Sequence, residues 1–368
     1  MLERLYINNY RCLVNFEIKF DEMTLLLGTN GTGKTSIFDI LHKLRQLIID
    51  NAKIGGLFSS ENLTVWLDSN IQTIELSVKG NGGEYTYKLV IEHKTVEDKQ
   101  RISEEFLSYN GNSLYRCKQG EVHLYQDDYK EGPIYTFDWT MSGLSTILSR
   151  KDNTKLIWFK DWISKLFIVN LQPYNISSVT KDEIQMIDRG GINFASWFRY
   201  ISQEYQNKVY NLYDHLREAV PGFDSFQLQT AGKQKILNVG FRKKNKSNEV
   251  KYLDFENISD GQKVLIILHT FLISLQNMGH ILLIDEPDNY LALAEIQPWL
   301  IELEEICGEK IPQVILISHH PELIDYMGIE QSRLIDREPL SPARVVPFKA
   351  NIENGLKLSE FVARGWEL

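Results

Sequence analysis

The eight residues from Gly28 to Thr35 read GTNGTGKT and fit the pattern GxxxxGK[ST] in full. In this pattern the glycines let backbone N–H groups curl around a phosphate at a helix N-terminus, where the helix dipole also favours an anion. We expect Lys34 to reach the β- and γ-phosphates of a nucleotide, and Thr35 to ligate Mg²⁺. The alternative is a glycine-rich turn without a ligand. The strand and helix patterns that flank the loop favour phosphate binding.

Two adjacent carboxylates, Asp285 and Glu286, follow an apolar run at residues 280–284. In open α/β sheets, ligands bind at the carboxyl ends of the strands. We therefore expect Asp285 to hold Mg²⁺, and Glu286 to polarise an attacking water. The alternative is that both carboxylates begin a helix at Pro287, where acidic residues are favoured in any case. A complete phosphate-binding loop in the same chain favours the catalytic interpretation, with ATP and Mg²⁺ as the implied ligands.

The elements around both motifs alternate between strand and helix. The apolar run at 23–27 predicts a buried strand, and apolar residues three and four apart predict an amphipathic helix at 36–49. After Ser259 the pattern predicts a helix at 262–278, a strand at 280–284, a helix at 292–307, a strand at 313–317 and a helix from Pro321. Apolar strands that alternate with helices predict a parallel sheet covered on both faces.

The middle of the chain has a different sequence pattern. Residues 60–140 contain short alternating segments separated by Gly, Asn and Asp clusters, which predict antiparallel strands joined by hairpins. The stretch 154–216 is helical in pattern, and strands are expected at 226–239 and 250–255. These last two flank a basic turn at 242–246, for which a solvated hairpin tip is favoured over a nucleic-acid contact.

Composition excludes several classes of protein. The chain has 368 residues, 43% of them hydrophobic, which rules out disorder as the main state. No apolar run approaches the length of a membrane span, and the first residues lack the apolar core of a secretory signal, so we expect a cytoplasmic protein. Its three cysteines lie far apart without a CxxC pair, which argues against a cysteine metal site or a disulfide framework. A net charge of −9 disfavours a generally basic surface.

Taken with two further motifs, the sequence resembles the ABC-type ATPase heads of the RecF, SMC and OLD group. Residues 258–263 read ISDGQK and are similar to the signature motif LSGGQ, with Asp260 in place of its first glycine. The resemblance implies that Ser259, Gly261 and Gln262 meet the γ-phosphate of a nucleotide held by the opposite subunit. His319 follows an apolar strand and matches the family's switch histidine, which contacts the γ-phosphate. A purely structural histidine is the alternative.

Two more residues are implied by the resemblance alone. Arg11, in the opening INNYR, matches an arginine near the nucleotide, and a surface arginine is its alternative. Gln172, in NLQP, matches the Q-loop glutamine that senses Mg²⁺ and the γ-phosphate. The catalytic residues of the expected site are Glu286 and His319, and its metal ligands are Thr35, Asp285 and Gln172. Its ATP-binding residues are Gly28, Asn30, Gly31, Thr32, Gly33, Lys34, Thr35, Ser36, Arg11, Ser259, Gly261 and Gln262.

The resemblance implies an α/β P-loop NTPase fold of ABC-ATPase type, with a mixed β-sheet lobe, an antiparallel β-insert and a helical subdomain. We expect a single domain over residues 1–368. Within it, a phosphate-loop lobe is expected at 1–60, an antiparallel β-rich part at 61–150, a helical subdomain at 151–222, and a lobe with the signature, the paired carboxylates and His319 at 223–368.

Departures from the family pattern narrow the assignment. Ala292 stands where related heads carry an aspartate, which disfavours transporter-like communication between two sites and favours OLD-like and stand-alone bacterial ATPases. The chain shows no sustained heptads, so we expect no long coiled-coil arm. The 48 residues after His320 are too few for the TOPRIM nuclease domain of OLD proteins, and we expect none.

The expected function is a slow ATPase switch. The resemblance implies a homodimer, or a higher homo-oligomer, that sandwiches two ATP–Mg²⁺ units and opens on hydrolysis. A separately encoded effector protein, such as a nuclease in a bacterial two-component anti-phage defence system, is the expected partner. The alternative is a RecF-like repair ATPase that clamps DNA. No membrane partner is expected.

Overall fold

The computed structural model describes residues 1–94, 99–242, 249–348 and 357–364. The strands are β1 (Leu2–Asn8), β2 (Phe16–Lys19), β3 (Met23–Leu27), β4 (Ile71–Gly80), β5 (Gly83–Lys94), β6 (Lys99–Tyr109), β7 (Asn112–Lys118), β8 (Glu121–Tyr125), β9 (Glu131–Thr136), β10 (Leu166–Val169), β11 (Val179–Thr180), β12 (Phe223–Ala231), β13 (Gln234–Arg242), β14 (Val250–Asp254), β15 (Ile281–Asp285), β16 (Gln313–Ile317), β17 (Ser332–Asp336) and β18 (Arg344–Val346). The helices are α1 (Lys34–Ile48), α2 (Ile54–Leu57), α3 (Thr154–Ser164), α4 (Phe194–Glu204), α5 (Gln206–Ala219), α6 (Asp260–Ser274), α7 (Leu293–Ile306), α8 (Pro321–Gln331) and α9 (Leu358–Arg364). The predicted basic turn lies outside the described residues, apart from Arg242.

The chain forms two compact units. Unit 1 comprises Met1–Leu166 and Gly328–Leu368, and unit 2 comprises Phe167–Met327. The chain returns to unit 1 within α8, where Gly328 has φ 63° and ψ −171° and interrupts the helix. Glycine adopts this conformation without the Cβ clash that other residues suffer. The unit boundaries differ from the four predicted parts, because contacts between residues distant in sequence decide them.

Unit 1 contains an antiparallel sheet with the order β2-β1-β4-β5-β6-β7-β8-β9. Burial alternates along β4 and β5, as expected for strands with one face on a core. The sequence predicted antiparallel strands at 61–150 but assigned residues 1–60 to a separate lobe. In the structure, β1 from the first of these segments pairs with β4 from the second and sets Leu5 opposite Leu76. The apolar faces of the two strands bury together.

The other strands of unit 1 hold the glycine-rich loop. β3 is buried along its whole length and runs parallel to β17, which pairs antiparallel with β18. The loop leaves the end of β3 and enters α1 at Lys34, two residues before the predicted start of that helix. The predicted order of strand, loop and helix is present.

Unit 2 contains strands in the order β10-β15-β16, of which β15 and β16 are parallel and fully buried, as predicted. Elsewhere in unit 2, β13 pairs antiparallel with β11, β12 and β14. The prediction of one strand at 226–239 is wrong, because the chain turns at Gly232 (φ 64°) and forms the β12–β13 hairpin. Helices α4 to α7 and the first part of α8 also belong to unit 2, and the predicted helical stretch 154–216 also contains the short strands β10 and β11.

No helix among the described residues combines the length and the apolar character that crossing a bilayer would require.

Candidate functional site

The loop between β3 and α1 depends on glycine. Gly28, Gly31 and Gly33 have φ values of 143°, 85° and 99°, a region that side-chain-bearing residues rarely adopt. A Cβ on Gly28 would lie 2.1 Å from the carbonyl oxygen of Ile335, and one on Gly33 would lie 2.8 Å from the Sγ of Cys12. The backbone therefore turns tightly from the end of β3 into the first turn of α1, which is the course that a phosphate-binding loop takes.

Lys34 is held on this loop by the loop's own backbone. Its side chain is buried, and the Nζ donates to the carbonyl oxygens of Gly28 (2.5 Å) and Thr29 (3.0 Å). Thr32 closes the loop, since its Oγ1 donates to the carbonyl of Thr29 at 2.9 Å. A buried ammonium fixed in this way sits where a phosphate bound by the loop would need a positive charge.

Arg11 lies beside the first turns of α1. Its Nη1 donates to the Oγ of Ser36 at 3.2 Å and to the Oδ2 of Asp39 at 2.8 Å. The structure thus brings Arg11 next to Ser36, one residue after Thr35, although 25 residues separate them in sequence. Its role toward a nucleotide stays a prediction.

Arg337 is a residue of this region that the sequence analysis missed. Its Nη1 donates to the carbonyl of Gly31 at 2.9 Å, and its guanidinium lies over the ring of Trp66, 5.3 Å from the centroid. The same arginine lies near Cys12, whose thiol pKa is raised by burial against the opposing influence of this charge. An isolated arginine more than 300 residues from the loop carries no sequence signal.

In unit 2, Asp285 is a buried carboxylate at the C-terminal end of β15. Its side chain is 2% exposed, and its Oδ2 has no hydrogen-bond partner. The Nη2 of Arg189 lies 4.0 Å from this Oδ2, and Arg189 is a second residue without any sequence signal. Burying an ionised carboxylate is costly unless a charge or metal compensates it. The orphaned oxygen is a hard ligand of the kind that Mg²⁺ prefers.

Glu286 and His319 lie close together in unit 2. The His319 Nε2 is 3.7 Å from the Glu286 Oε1, and the Glu286 N–H donates to the carbonyl of Ile317 at the end of β16. Glu286 has φ 54°, a left-handed conformation that costs energy for a residue with a side chain. Such strain clusters at functional sites. Next to His319, the Ser318 Oγ donates to the Oδ1 of Asp288 at 2.5 Å and ties the two chain segments together.

The signature-like residues form the N-terminus of α6. The Ser259 Oγ accepts from the backbone N–H of Gln262 (3.3 Å), and the Gln262 Oε1 accepts from the Ser259 N–H (3.3 Å), so the pair forms a capping box. Gly261 lies against the segment that follows Glu286, since a Cβ there would be 2.7 Å from the carbonyl oxygen of Tyr290. Asp260, the departure from the family motif, pairs with Lys263 at 3.1 Å.

Gln172 lies in an exposed turn of unit 2. Its Oε1 accepts from Asn175 Nδ2 at 3.2 Å, and its backbone N–H donates to the carbonyl of Gly190, the neighbour of Arg189. Lys263 reaches the same turn, where its Nζ donates to the carbonyl of Pro173. These contacts do not test the predicted role of Gln172 toward Mg²⁺, and that role stays a prediction.

The comparisons with known proteins agree with this architecture. Residues 1–165 match the model of a family described as AAA ATPase domain. An SMC head bound to the C-winged helix domain of ScpA is 14% identical to this chain, with 94% of this chain and 97% of that chain covered and a TM-score of 0.55. An SMC head domain with an extended coiled coil from Pyrococcus furiosus, bound to the C-terminal domain of ScpA, is 13% identical, with 100% and 98% covered and a TM-score of 0.52. A comparison with curated proteins finds no match.

The fold and the glycine-rich loop are of the kind that is typical of P-loop NTPases. More narrowly, the chain has the fold of an ABC-type ATPase head of the RecF and SMC group, as its sequence motifs predict. At these identities the likeness concerns the fold alone. The closer assignment to OLD-like and stand-alone ATPases stays a prediction.

Proposed function

We propose that this chain binds ATP with Mg²⁺ and hydrolyses it. The observation that carries the proposal is the loop of unit 1, in which three glycines with positive φ lead into α1 and Lys34 is fixed on the loop carbonyls. This arrangement suits the β- and γ-phosphates of a nucleoside triphosphate.

The oxygen donors of the expected ligand residues are of the kind that a magnesium ion prefers. Thr35, the second residue of α1, supplies a hydroxyl, and Asp285 supplies the buried oxygen without a hydrogen-bond partner. On the strength of the sequence motifs, we propose Thr35, Asp285 and Gln172 as the ligands of this ion. When bound, Mg²⁺ neutralises charge on the β- and γ-phosphate oxygens.

Glu286 is the proposed general base. Its carboxylate would accept the proton of a water as that water attacks the γ-phosphorus, while the bond to the bridging oxygen of ADP breaks and phosphate leaves. His319 lies within 3.7 Å of this carboxylate and can keep it oriented and stabilise charge on the γ-phosphate. Lys34 would stabilise the same charge from the loop.

Variants of Lys34 and Glu286 test this assignment. We expect Lys34→Ala to abolish binding of a fluorescent ATP analogue. Glu286→Gln should retain binding and lose turnover on the order of a hundredfold or more, because the amide cannot accept the proton. Glu309→Gln, a change at an exposed glutamate, is the control and should hydrolyse ATP at the wild-type rate. Normal phosphate release by Glu286→Gln would show that the base is another group.

We further propose that ATP closes two copies of the chain into a dimer. Tyr290 and Leu293, in the segment after Glu286, are 52% and 51% exposed, and Gly261 at the start of α6 contacts this segment. Exposed apolar side chains next to the signature-like residues support a contact surface for a second copy. Ser259 and the first N–H groups of α6 would then meet the γ-phosphate held by that copy.

A double variant tests the dimer. In the Glu286→Gln background, ATP–Mg²⁺ should convert the monomer into a dimer in light scattering, because hydrolysis no longer reopens it. Adding Ser259→Arg should leave ATP binding intact and keep the chain monomeric, since the bulky cation blocks the first turn of α6. An unchanged ATP-dependent dimer in the double variant would remove the role given to Ser259.

We propose that the partner controlled by this ATPase is a protein effector, such as a nuclease in a two-component anti-phage defence system. The net charge of −9 supports a protein partner over DNA, and two SMC heads of the same fold carry a bound domain of ScpA in their structures. One observation favours the alternative of a DNA clamp. In unit 1, a cavity of about 340 Å³ is bordered by Lys53, Lys94, Lys99 and Arg101 beside Trp139.

ATPase assays with DNA distinguish a protein effector from DNA as the partner. A clamp predicts turnover that DNA stimulates, with an affinity for DNA that falls steeply as salt rises. An effector switch predicts turnover that ignores DNA and responds to the protein encoded beside this gene. DNA stimulation at physiological salt would therefore overturn the effector proposal.

A further inference from the structure

Three side chains that commonly bind metals converge in unit 2. His215 lies on α5, His269 on α6 and Glu302 on α7. The His215 Nε2 is 2.7 Å from the His269 Nδ1 and 3.3 Å from the Glu302 Oε2, and the last two atoms are 3.9 Å apart. One nitrogen or oxygen from each of three helices thus surrounds a common point.

The packing of the helices fixes this arrangement. The Lys208 Nζ donates to the carbonyl oxygens of Ser274 and Gln276, which ties the start of α5 to the end of α6. The His269 side chain is 3% exposed, whereas His215 and Glu302 are 18% and 28% exposed. The cluster is therefore anchored in the interior and open to solvent on one side, so that an ion and a water can reach it.

The protonation state suits a metal. Two imidazoles at 2.7 Å cannot both be charged without strong repulsion. Burial, reinforced by the neighbouring charge of His215, lowers the pKa of His269 to about 3, and burial also lowers the pKa of His215. A neutral imidazole carries a nitrogen lone pair, which a metal ligand requires.

The distances agree with tetrahedral coordination. Zinc bonds of about 2.0 to 2.1 Å to nitrogen and oxygen place two ligand atoms about 3.3 Å apart. The three separations in the cluster straddle this value, and small side-chain rotations equalise them. Two histidines, one glutamate and an open fourth position form a donor set typical of zinc, since imidazole and carboxylate ligands favour it.

We propose that His215, His269 and Glu302 form a Zn²⁺ site that joins α5, α6 and α7. The site has a consequence for α6, because His269 lies ten residues after Ser259, about 15 Å along the helix. A metal bound there would hold in place the helix that begins with the signature-like residues. The proposal stands on the geometry of the cluster and does not depend on ATP hydrolysis.

Metal titration of the untagged chain tests the site. After removal of metals with a chelator, calorimetry should show one Zn²⁺ bound per chain, and Co²⁺ should give the intense visible absorption of a tetrahedral complex. Glu302→Gln should weaken Zn²⁺ binding by on the order of tenfold or more, because a neutral amide oxygen is a poor zinc ligand. Glu305→Gln, an exposed position on the same helix, should bind like the wild type.

A second measurement covers variants that fold poorly. Zn²⁺ should raise the melting temperature of the wild type and of Glu305→Gln, and should leave that of the partly exposed His215→Gln unchanged. Binding of no Zn²⁺ by the metal-free wild type would overturn the proposal and identify the cluster as a hydrogen-bonded network. Equal affinities of Glu302→Gln and Glu305→Gln would overturn it as well.

Discussion

Two buried carboxylates in this chain have opposite surroundings. Glu105, on β6 in unit 1, has no exposed surface and accepts four hydrogen bonds, from the hydroxyls of Tyr87, Tyr115 and Ser142 and from the N–H of Gly143. Asp285, on β15 in unit 2, has an oxygen that accepts none. A buried polar group without a partner is costly, whereas a satisfied one rigidifies the core. Glu105 is therefore structural, and Asp285 fits a ligand-binding role.

We expect Glu105→Gln to lower the free energy of unfolding by about 3 kcal/mol, because the new amide NH₂ would face two hydrogen-bond donors. Glu104→Gln is the matched control on the same strand. Glu104 is partly exposed and lies 3.9 Å from Lys88, so its loss should cost less than about 1 kcal/mol. Urea unfolding of both variants measures the difference. Equal unfolding curves would contradict the structural role of Glu105.

The burial of Glu105 also predicts that the free energy of unfolding depends on pH. Desolvation raises the pKa of Glu105 above its ordinary value, against the opposing influence of its hydrogen bonds. The folded state then binds this proton more tightly than the unfolded state does. The contribution of Glu105 to stability is present below the ordinary glutamate pKa and is lost as pH rises through the raised pKa. This part of the pH dependence should disappear in Glu105→Gln and persist in Glu104→Gln.

Among the elements, α6 carries both the signature-like residues and one of the proposed zinc ligands. Its capping box uses Ser259 and Gln262, its first turn lies against Tyr290, and its far half carries His269. A capping box is a local pattern, S-x-x-Q, and is readable from sequence. The close approach of Gly261 to Tyr290 is a tertiary contact that no local pattern predicts.

Gly261→Ala tests that contact. The added Cβ would lie 2.7 Å from a backbone oxygen, so the segment after Glu286 must shift. Because small displacements of catalytic groups are costly, we expect ATP turnover to fall on the order of tenfold or more, with nucleotide affinity unchanged. Gly56→Ala is the control, since a Cβ on Gly56 meets no atom within 4 Å. Steady-state phosphate release compares them, and equal rates would show that the segment tolerates the shift.

The hairpin β12–β13 shows where element prediction failed. Both strands are rich in alternating apolar residues, and the turn between them is marked only by Gly232 within a polar stretch. A single glycine is a weak signal compared with the Gly and Asn clusters of unit 1. The strands β3, β15 and β16 were predicted within one residue because each is a short, mostly apolar run with a clear end.

At the scale of the whole molecule, the motifs are divided between the two units. The glycine-rich loop belongs to unit 1, and Asp285, Glu286, His319 and the signature-like residues belong to unit 2. A ligand that binds only the folded state raises its stability by mass action. Nucleotide binding should therefore be visible in the thermal unfolding of the whole chain.

We expect ATP at about 100 times its Kd to stabilise the wild type by about 2.7 kcal/mol, seen as a concentration-dependent rise of Tm in calorimetry. Lys34→Ala should lose this rise, because it removes the buried ammonium on the loop. Lys79→Ala, which removes an exposed ammonium of unit 1, should keep it. A Tm rise in Lys34→Ala equal to that of the wild type would contradict the assignment of the loop.

The sequence by itself determined the features that contiguous residues build. The strand, glycine-rich loop and helix around Lys34, the paired carboxylates at the end of β15 and the cap of α6 are each built from neighbouring residues, so their local pattern carries the information. Only the tertiary structure decided which distant residues join them. It brought Arg337 to Gly31, Arg189 to Asp285, and one ligand from each of three helices to a common point. Such contacts depend on how whole elements pack, and packing is driven by burial of apolar surface that has no preferred partner in sequence.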